Sequence, residues 1–192
     1  LVAMDTTYHP RAIQPTLLYW QRMGDAELTG LFSSWIDTWI DASESTYLVK
    51  PEGVIPPSIH WPDGNPGGKQ PEHPEWWKPH EKWYEWPTGL GLMTNTMLLT
   101  YHMTQDEKYM QPLHKMAQLR HKYLPAVNED SSAGSPEWCA LNSASILDAL
   151  SKYRLISGDK QYDELLIRDA RPYVAYQINK DEIAIVINVK ET

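Results

Sequence analysis

Apolar residues recur at helical spacing through most of the chain. The cleanest run is Leu28, Leu31, Phe32, Trp35, Ile36, Trp39 and Ile40, which fall on one stripe of a helix. A weaker stripe runs from about Glu107 to Tyr123, with Met110, Leu113, Met116 and Ala117 inward. A third starts near Lys160 with Tyr162, Leu165, Leu166, Ala170 and Tyr173, and Pro172 should kink or end it. Two other stretches are apolar over more of their surface. One holds Leu92, Met93, Met97, Leu98, Leu99, Tyr101 and Met103, the other Leu141, Ile146, Leu147, Leu150 and Leu155. A helix apolar nearly all round is buried, so each of these predicts an inner helix followed by an outer one.

Similar turns join the pairs. Tyr19 to Asp25 reads Tyr-Trp-Gln-Arg-Met-Gly-Asp, Tyr101 to Asp106 reads Tyr-His-Met-Thr-Gln-Asp, and Tyr153 to Asp159 reads Tyr-Arg-Leu-Ile-Ser-Gly-Asp. Glycine suits the left-handed residue that ends a helix, and aspartate suits the N-cap of the next. Leu28, Tyr109 and Tyr162 stand three residues past each aspartate. The chain therefore reads as a repeated helical hairpin. The tail Glu182-Ile-Ala-Ile-Val-Ile-Asn-Val189 is β-branched and short, a strand that could begin a sheet.

A long insertion, about 45–87, separates the first two hairpins. Between Pro51 and Leu90 lie nine of the fifteen prolines, five of the nine tryptophans and three of the seven histidines. A stretch this long is functional or disordered, and disorder is poor in aromatics, so it reads as an ordered functional loop. The bland alternative is a loop that caps the helices with its indole rings.

At 192 residues, 42% apolar, the chain can bury a core as one domain with a short appendage. The boundaries read as 1–180, helical, and 181–192, a strand leading to a β region. A net charge of −8 with no basic run argues against nucleic acid and against an anionic membrane surface. No apolar run is long enough to span a bilayer. A single cysteine, Cys139, excludes an internal disulfide framework and a multi-thiolate zinc site. The 9 tryptophans and 11 tyrosines against one phenylalanine favour wet binding surfaces over plain core.

Inner and outer helical hairpins with Asp-capped turns resemble the α/α-toroid, or six-hairpin, superfamily of glycoside hydrolases and polysaccharide lyases. The resemblance rests on the three Gly-Asp or Gln-Asp turns, the buried helices after Pro87 and Pro136, and the aromatic insertion. It spans about Ile13 to Asn179 and matches no catalytic signature. It implies a mainly α fold, a partial toroid, and a polysaccharide or oligosaccharide as partner. Three hairpins make half a ring, so more of the same polypeptide or another subunit would complete it. Secretion or a periplasmic location follows from the same likeness, and the start Leu-Val-Ala-Met is compatible with a removed export signal.

In such an array the loops from each outer helix to the next inner helix emerge at one end. That gathers Tyr8, His9 and Arg11, the insertion, Glu137 and Trp138 on one rim. Trp61, Trp76, Trp77, Trp83, Trp86 and Trp138 offer flat faces to sugar C–H groups, although Trp76 and Trp77 cannot both face one way. Hydrolysis needs two carboxyl groups across the bond, and Asp63 and Glu137 are the favoured pair. Each has a plainer role, as a turn residue and as a helix-dipole complement respectively. Elimination from a uronic acid needs a base and a charge neutraliser, for which His60, His80, Tyr84 and Arg11 are candidates. His102, His114 and His121 sit on helices away from the rim and read as structural. The spacing of His73 and His80 matches no metal-ligand pair, Gly64 to Gly68 lacks a phosphate-loop context, and no nucleophile elbow is present, so no metal or cofactor is expected. The expected function is polysaccharide degradation. The alternative is a non-catalytic glycan- or protein-binding helical module.

Overall fold

The computed structural model describes residues 4–67, 86–126, 134–169, 174–179 and 182–187, and only the backbone at 48, 86–88, 126, 174–179 and 182–187. The chain is mainly helical, with two small antiparallel ribbons. A short strand β1 (Met4–Thr6) and a helical turn α1 (His9–Ala12) precede α2 (Gln14–Met23) and α3 (Ala26–Glu44). The insertion opens with a 3-10 turn, Tyr47–Val49, and β2 (Ser58–His60). Then come α4 (Trp86–Thr104), a 3-10 turn at Glu107–Met110, and α5 (Gln111–Tyr123). The third unit is α6 (Pro136–Asn142), α7 (Ile146–Ser157) and α8 (Asp163–Asp169), followed by β3 (Val174–Asn179) and β4 (Glu182–Ile187).

The three turns repeat as the pattern requires. α2, α4 and α7 each end on a left-handed residue, Gly24 (φ 61), Gln105 (φ 60) and Gly158 (φ 75). Its N–H bonds the carbonyl four residues back, that of Trp20 at 2.8 Å, Tyr101 at 2.7 Å and Arg154 at 3.1 Å. The aspartate that follows accepts a backbone N–H at each start: Leu28 on Asp25 at 3.0 Å, Lys108 on Asp106 at 3.0 Å, Gln161 on Asp159 at 2.9 Å. Gln105 adopts the glycine conformation with its amide donated to the His102 carbonyl at 2.7 Å.

The first helices of the units lie side by side and run the same way. Gly89 and Gly91 of α4 let two neighbouring segments in close: a Cβ on Gly89 would stand 2.1 Å from Thr7 Oγ1, and one on Gly91 3.3 Å from Ser145 Cβ. Further along, Asn95 meets Asp148 and the Tyr101 ring meets that of Tyr153 at 5.9 Å. On the other flank, Leu17 and Trp20 of α2 pack with Phe32, Leu99 and Met103. α4 is the centre of the main core, with Leu90, Met93 and Met97 fully buried. Its buried threonines cost little because each hydroxyl donates to the carbonyl four residues back, as Thr94 does to Leu90 and Thr100 to Thr96, both at 2.9 Å.

α3 and α5 cover one side of this layer. Ile36, Trp39 and Ile40 point in from α3, and Leu113, Met116 and Ala117 from α5. Lys108 bridges to Asp37 at 2.8 Å, and Lys115 to Glu44 and to Glu52, the latter at 3.0 Å. The loop after α3 is pinned by Lys50, whose buried ammonium donates to the carbonyls of Ser43, Pro51 and Val54 at 2.7, 3.0 and 2.8 Å. Burial pulls its pKa down to about 7, while three carbonyl acceptors favour the charged form.

Several sequence expectations need correction. Leu31 is exposed, on the edge of the α3 stripe and not in it. The third inner helix is broken in two, and Leu141 and Leu155 are exposed. The break has a cause: the Ala140 carbonyl that a continuous helix would use accepts instead from the Ser143 hydroxyl at 3.1 Å and from Arg120. Arg120 in turn holds Asp169 at the end of α8 at 2.9 Å, so one guanidinium ties α5, α6 and α8. β4 is the return arm of a hairpin with β3, Val174 opposite Ile187, so a further strand precedes the one expected from Glu182.

Candidate functional site at the rim

The N-terminal segment and the insertion meet. β1 pairs antiparallel with β2, Met4 opposite His60, Asp5 opposite Ile59 and Thr6 opposite Ser58, and the Thr7 N–H continues to the Pro57 carbonyl at 3.0 Å. Gly89, at the start of α4, lies under Thr7. The loop beyond β2 folds back: the His60 N–H bonds the Asn65 carbonyl at 2.8 Å and the Gly67 N–H that of Ser58 at 3.0 Å. Its turn contains a cis Trp61–Pro62 bond and a left-handed Gly64, φ 70. A Cβ on Gly64 would stand 3.2 Å from Thr38 Cγ2, so the turn rests on α3.

Trp61 stands at the tip, 70% exposed. An indole held out on a braced turn is a ready platform for a flat apolar ligand face. Beside it His60 Nδ1 lies 3.2 Å from Asp63 Oδ1, which also accepts the Asn65 N–H at 3.1 Å. That N–H, and then the His60 contact, hold the Asp63 carboxyl below its ordinary range. Asp63 is therefore a carboxylate at neutral pH, suited to accept a proton or a sugar hydroxyl and unsuited to act as a general acid. Its bond two residues on is also that of an Asx turn, the plainer role the sequence allowed.

Sequence reasoning missed Asp5. Its Oδ2 accepts two indole N–H groups, from Trp35 at 2.5 Å and Trp39 at 2.8 Å. Its Oδ1 accepts the Thr6 N–H at 2.8 Å and faces His9 Nδ1 at 2.6 Å. The His9 ring lies edge-to-face with Trp35, 5.7 Å between centroids. One signal was legible: Trp35 and Trp39 recur on an inward stripe, and a buried indole N–H needs an acceptor.

The other expected residues fall as follows. Glu137 stands half-buried in the first turn of α6, where Ser135 Oγ caps the Trp138 N–H at 3.1 Å. Trp138 is half-buried against the main core. Arg11 is exposed on α1. No described contact joins Glu137 to Asp63. His80, Tyr84, Trp76, Trp77 and Trp83 lie outside the described residues, as does the Trp86 side chain. His114 is half-buried, stacked on Tyr162 with ring centroids 5.7 Å apart, and burial pushes its pKa down. Cys139 is buried, and burial pushes its thiol up to about 12, so it is no nucleophile. Among the described residues no group of three or more His, Cys, Asp or Glu could hold a metal, and no helix is long and apolar enough to cross a membrane.

Among the described residues, the face of α2, α4 and α7 away from α3 and α5 is open. A groove of about 760 Å³ runs along it, lined by Leu18, Leu92, Leu99 and Ile156 among others. The linked side chains of Asn95, Asp148 and Lys152 border it, with Lys152 Nζ 2.7 Å from Asp148 Oδ2. Leu155 on its edge is 85% exposed. Comparison with protein-family models, curated proteins and solved structures finds no match for this chain.

Proposed function

We propose that this chain is the carbohydrate-active part of an α/α-toroid protein that degrades a polysaccharide, as glycoside hydrolase or polysaccharide lyase, in a secreted or periplasmic setting. The observation that carries the reading is the rim: an exposed Trp61 beside the His60–Asp63 pair, on a loop that pairs with the N-terminal segment. A sugar stacked on that indole would have a carboxylate and an imidazole in reach of its hydroxyls. The parallel helices α2, α4 and α7 support the toroid, since they are ordered as its inner helices are.

The open groove supports incompleteness. Inner helices of a closed ring bury this face against one another, and here Leu155 and Ile156 meet water. Further hairpins, from the same polypeptide or another subunit, would cover it.

The second reading is a glycan- or protein-binding module without catalysis. It is favoured by the commitment of the Asp63 carboxylate to the Asn65 N–H, which a turn needs and a catalyst does not. A screen of neutral and uronate-containing polysaccharides separates the two, reading new reducing ends and absorbance from new C=C bonds. Reducing ends without the absorbance, lost in Asp63→Asn or Glu137→Gln, mean hydrolysis. Absorbance on a uronate polymer that survives both changes means elimination and turns attention to His60, His80 and Tyr84. Binding without turnover selects the module, and silence on every glycan removes the carbohydrate reading.

A further inference from the structure

We infer that Asp5 and His9 form a proton-transfer dyad on the rim, with His9 Nε2 as a base toward a hydroxyl-bearing ligand and Asp5 as its positioning residue. The inference deepens the carbohydrate reading and rests on it for the ligand class.

The hydrogen bonds point to the place of the proton. Asp5 receives two indole N–H groups on one oxygen and a backbone N–H on the other. None of these donors can accept, which leaves His9 Nδ1, 2.6 Å from Oδ1, as the one neighbour that could share a proton with the carboxyl. A carboxylic acid is a stronger acid than an imidazolium, so the proton between Oδ1 and Nδ1 rests on nitrogen and His9 donates it. Neutral His9 is then held as the Nδ1–H tautomer, with the lone pair on Nε2.

The geometry also fixes where that lone pair goes. Asp5 is anchored from α3 by Trp35 and Trp39, and its side chain is only 19% exposed. The imidazole is braced by the Trp35 edge and remains 50% exposed. An oriented, largely shielded carboxylate behind a half-exposed imidazole is the arrangement that makes histidine a directed base. In the transfer the ligand O–H bond breaks, an Nε2–H bond forms, and the electron pair stays on oxygen. The imidazolium so formed is countered by Asp5, and returning the proton restores both groups.

The test reads the tautomer first, without any ligand. Long-range ¹H–¹⁵N correlation spectra of histidine-labelled protein, with His9 assigned from His9→Gln, should show neutral His9 protonated on Nδ1. Asp5→Asn should shift it to Nε2–H. Carbethoxylation mapped by mass spectrometry should modify His9 at least tenfold faster in wild type than in Asp5→Asn. If Asp5→Asn does not fold, the wild-type spectrum alone decides. A wild-type His9 on Nε2–H, or averaged between tautomers, overturns the dyad whatever glycan binds. On any glycan that the wild type turns over, His9→Gly should lower kcat at least 100-fold, and added imidazole should restore at least a tenth of it. Loss of less than twofold overturns the base role and leaves the carbohydrate reading standing. If no glycan is turned over, that reading fails as catalysis, and the tautomer still decides the dyad.

Discussion

Replacing Asp5 by alanine tests the hub that joins the N-terminal segment to α3. Four donors lose their acceptor. The Trp39 ring is fully buried, so its orphaned N–H costs about 1–3 kcal/mol. Trp35 is half-buried and loses about 0.5–1.5 kcal/mol, the net value of one hydrogen bond. His9 and Thr6 can reach water and add little. The sum is about 2–4 kcal/mol. With an m-value of about 2 kcal/mol per molar urea, the midpoint should fall by about 1–2 M. Urea unfolding followed by circular dichroism measures it. The second half of a double-mutant cycle isolates the cause: in a Trp39→Phe background, Asp5→Ala should cost at least 1 kcal/mol less, about the value of the lost donor. A penalty below about 0.5 kcal/mol, or one equal in both backgrounds within the usual additivity error, refutes the hub.

Other expectations follow from the same contacts. Gly89→Ala should destabilise by about 1–2 kcal/mol in thermal unfolding, because its Cβ would sit 2.1 Å from Thr7 Oγ1 and overpacking exceeds the helical gain. Gly30→Ala meets nothing within 4 Å and should stabilise by about 0.5–1 kcal/mol. Asp169→Asn leaves Arg120, which like Asp169 is only 4% exposed, without its counter-charge, and should cost about 3–5 kcal/mol in urea. Burial pushes the Asp169 carboxyl up, but Arg168 and Arg120 outweigh it and hold the pKa below the ordinary value. The carboxylate's contribution is therefore full above about pH 4 and fades as pH falls through the lowered pKa, so the variant should lose less stability in acid than wild type. Leu155→Glu with Ile156→Glu should weaken self-association of this chain in sedimentation velocity. A wild type that is a monomer at every concentration contradicts the open-groove account.

Much of the fold was legible because it is local. The turn chemistry of Gly24-Asp25 and Gly158-Asp159 depends on neighbours in sequence, and so does the stripe from Phe32 to Ile40. Gln105 followed although glutamine seldom takes φ > 0, since the aspartate beside it and the apolar periods around it carried the pattern. What failed was non-local. The break after Asn142 depends on Arg120, twenty residues away from the carbonyl it takes. The strand Val174–Asn179 was hidden because Val-Ala-Tyr-Gln-Ile-Asn carries apolar residues at spacings that also extend a helix, and its partner strand decides it. At the rim, composition singles out the loop that carries Trp61. It does not single out Asp5, because nothing within a few residues says that Trp35 and Trp39 will turn to it.

Affinity electrophoresis through gels that carry neutral or uronate-containing polysaccharides, with wild type beside Trp61→Ala, tests for a glycan site on Trp61. It needs no catalysis and no complete ring. At least one glycan should retard the wild type, and Trp61→Ala should weaken that retardation at least tenfold. Equal mobility of the two proteins in every gel contradicts a glycan site at this rim.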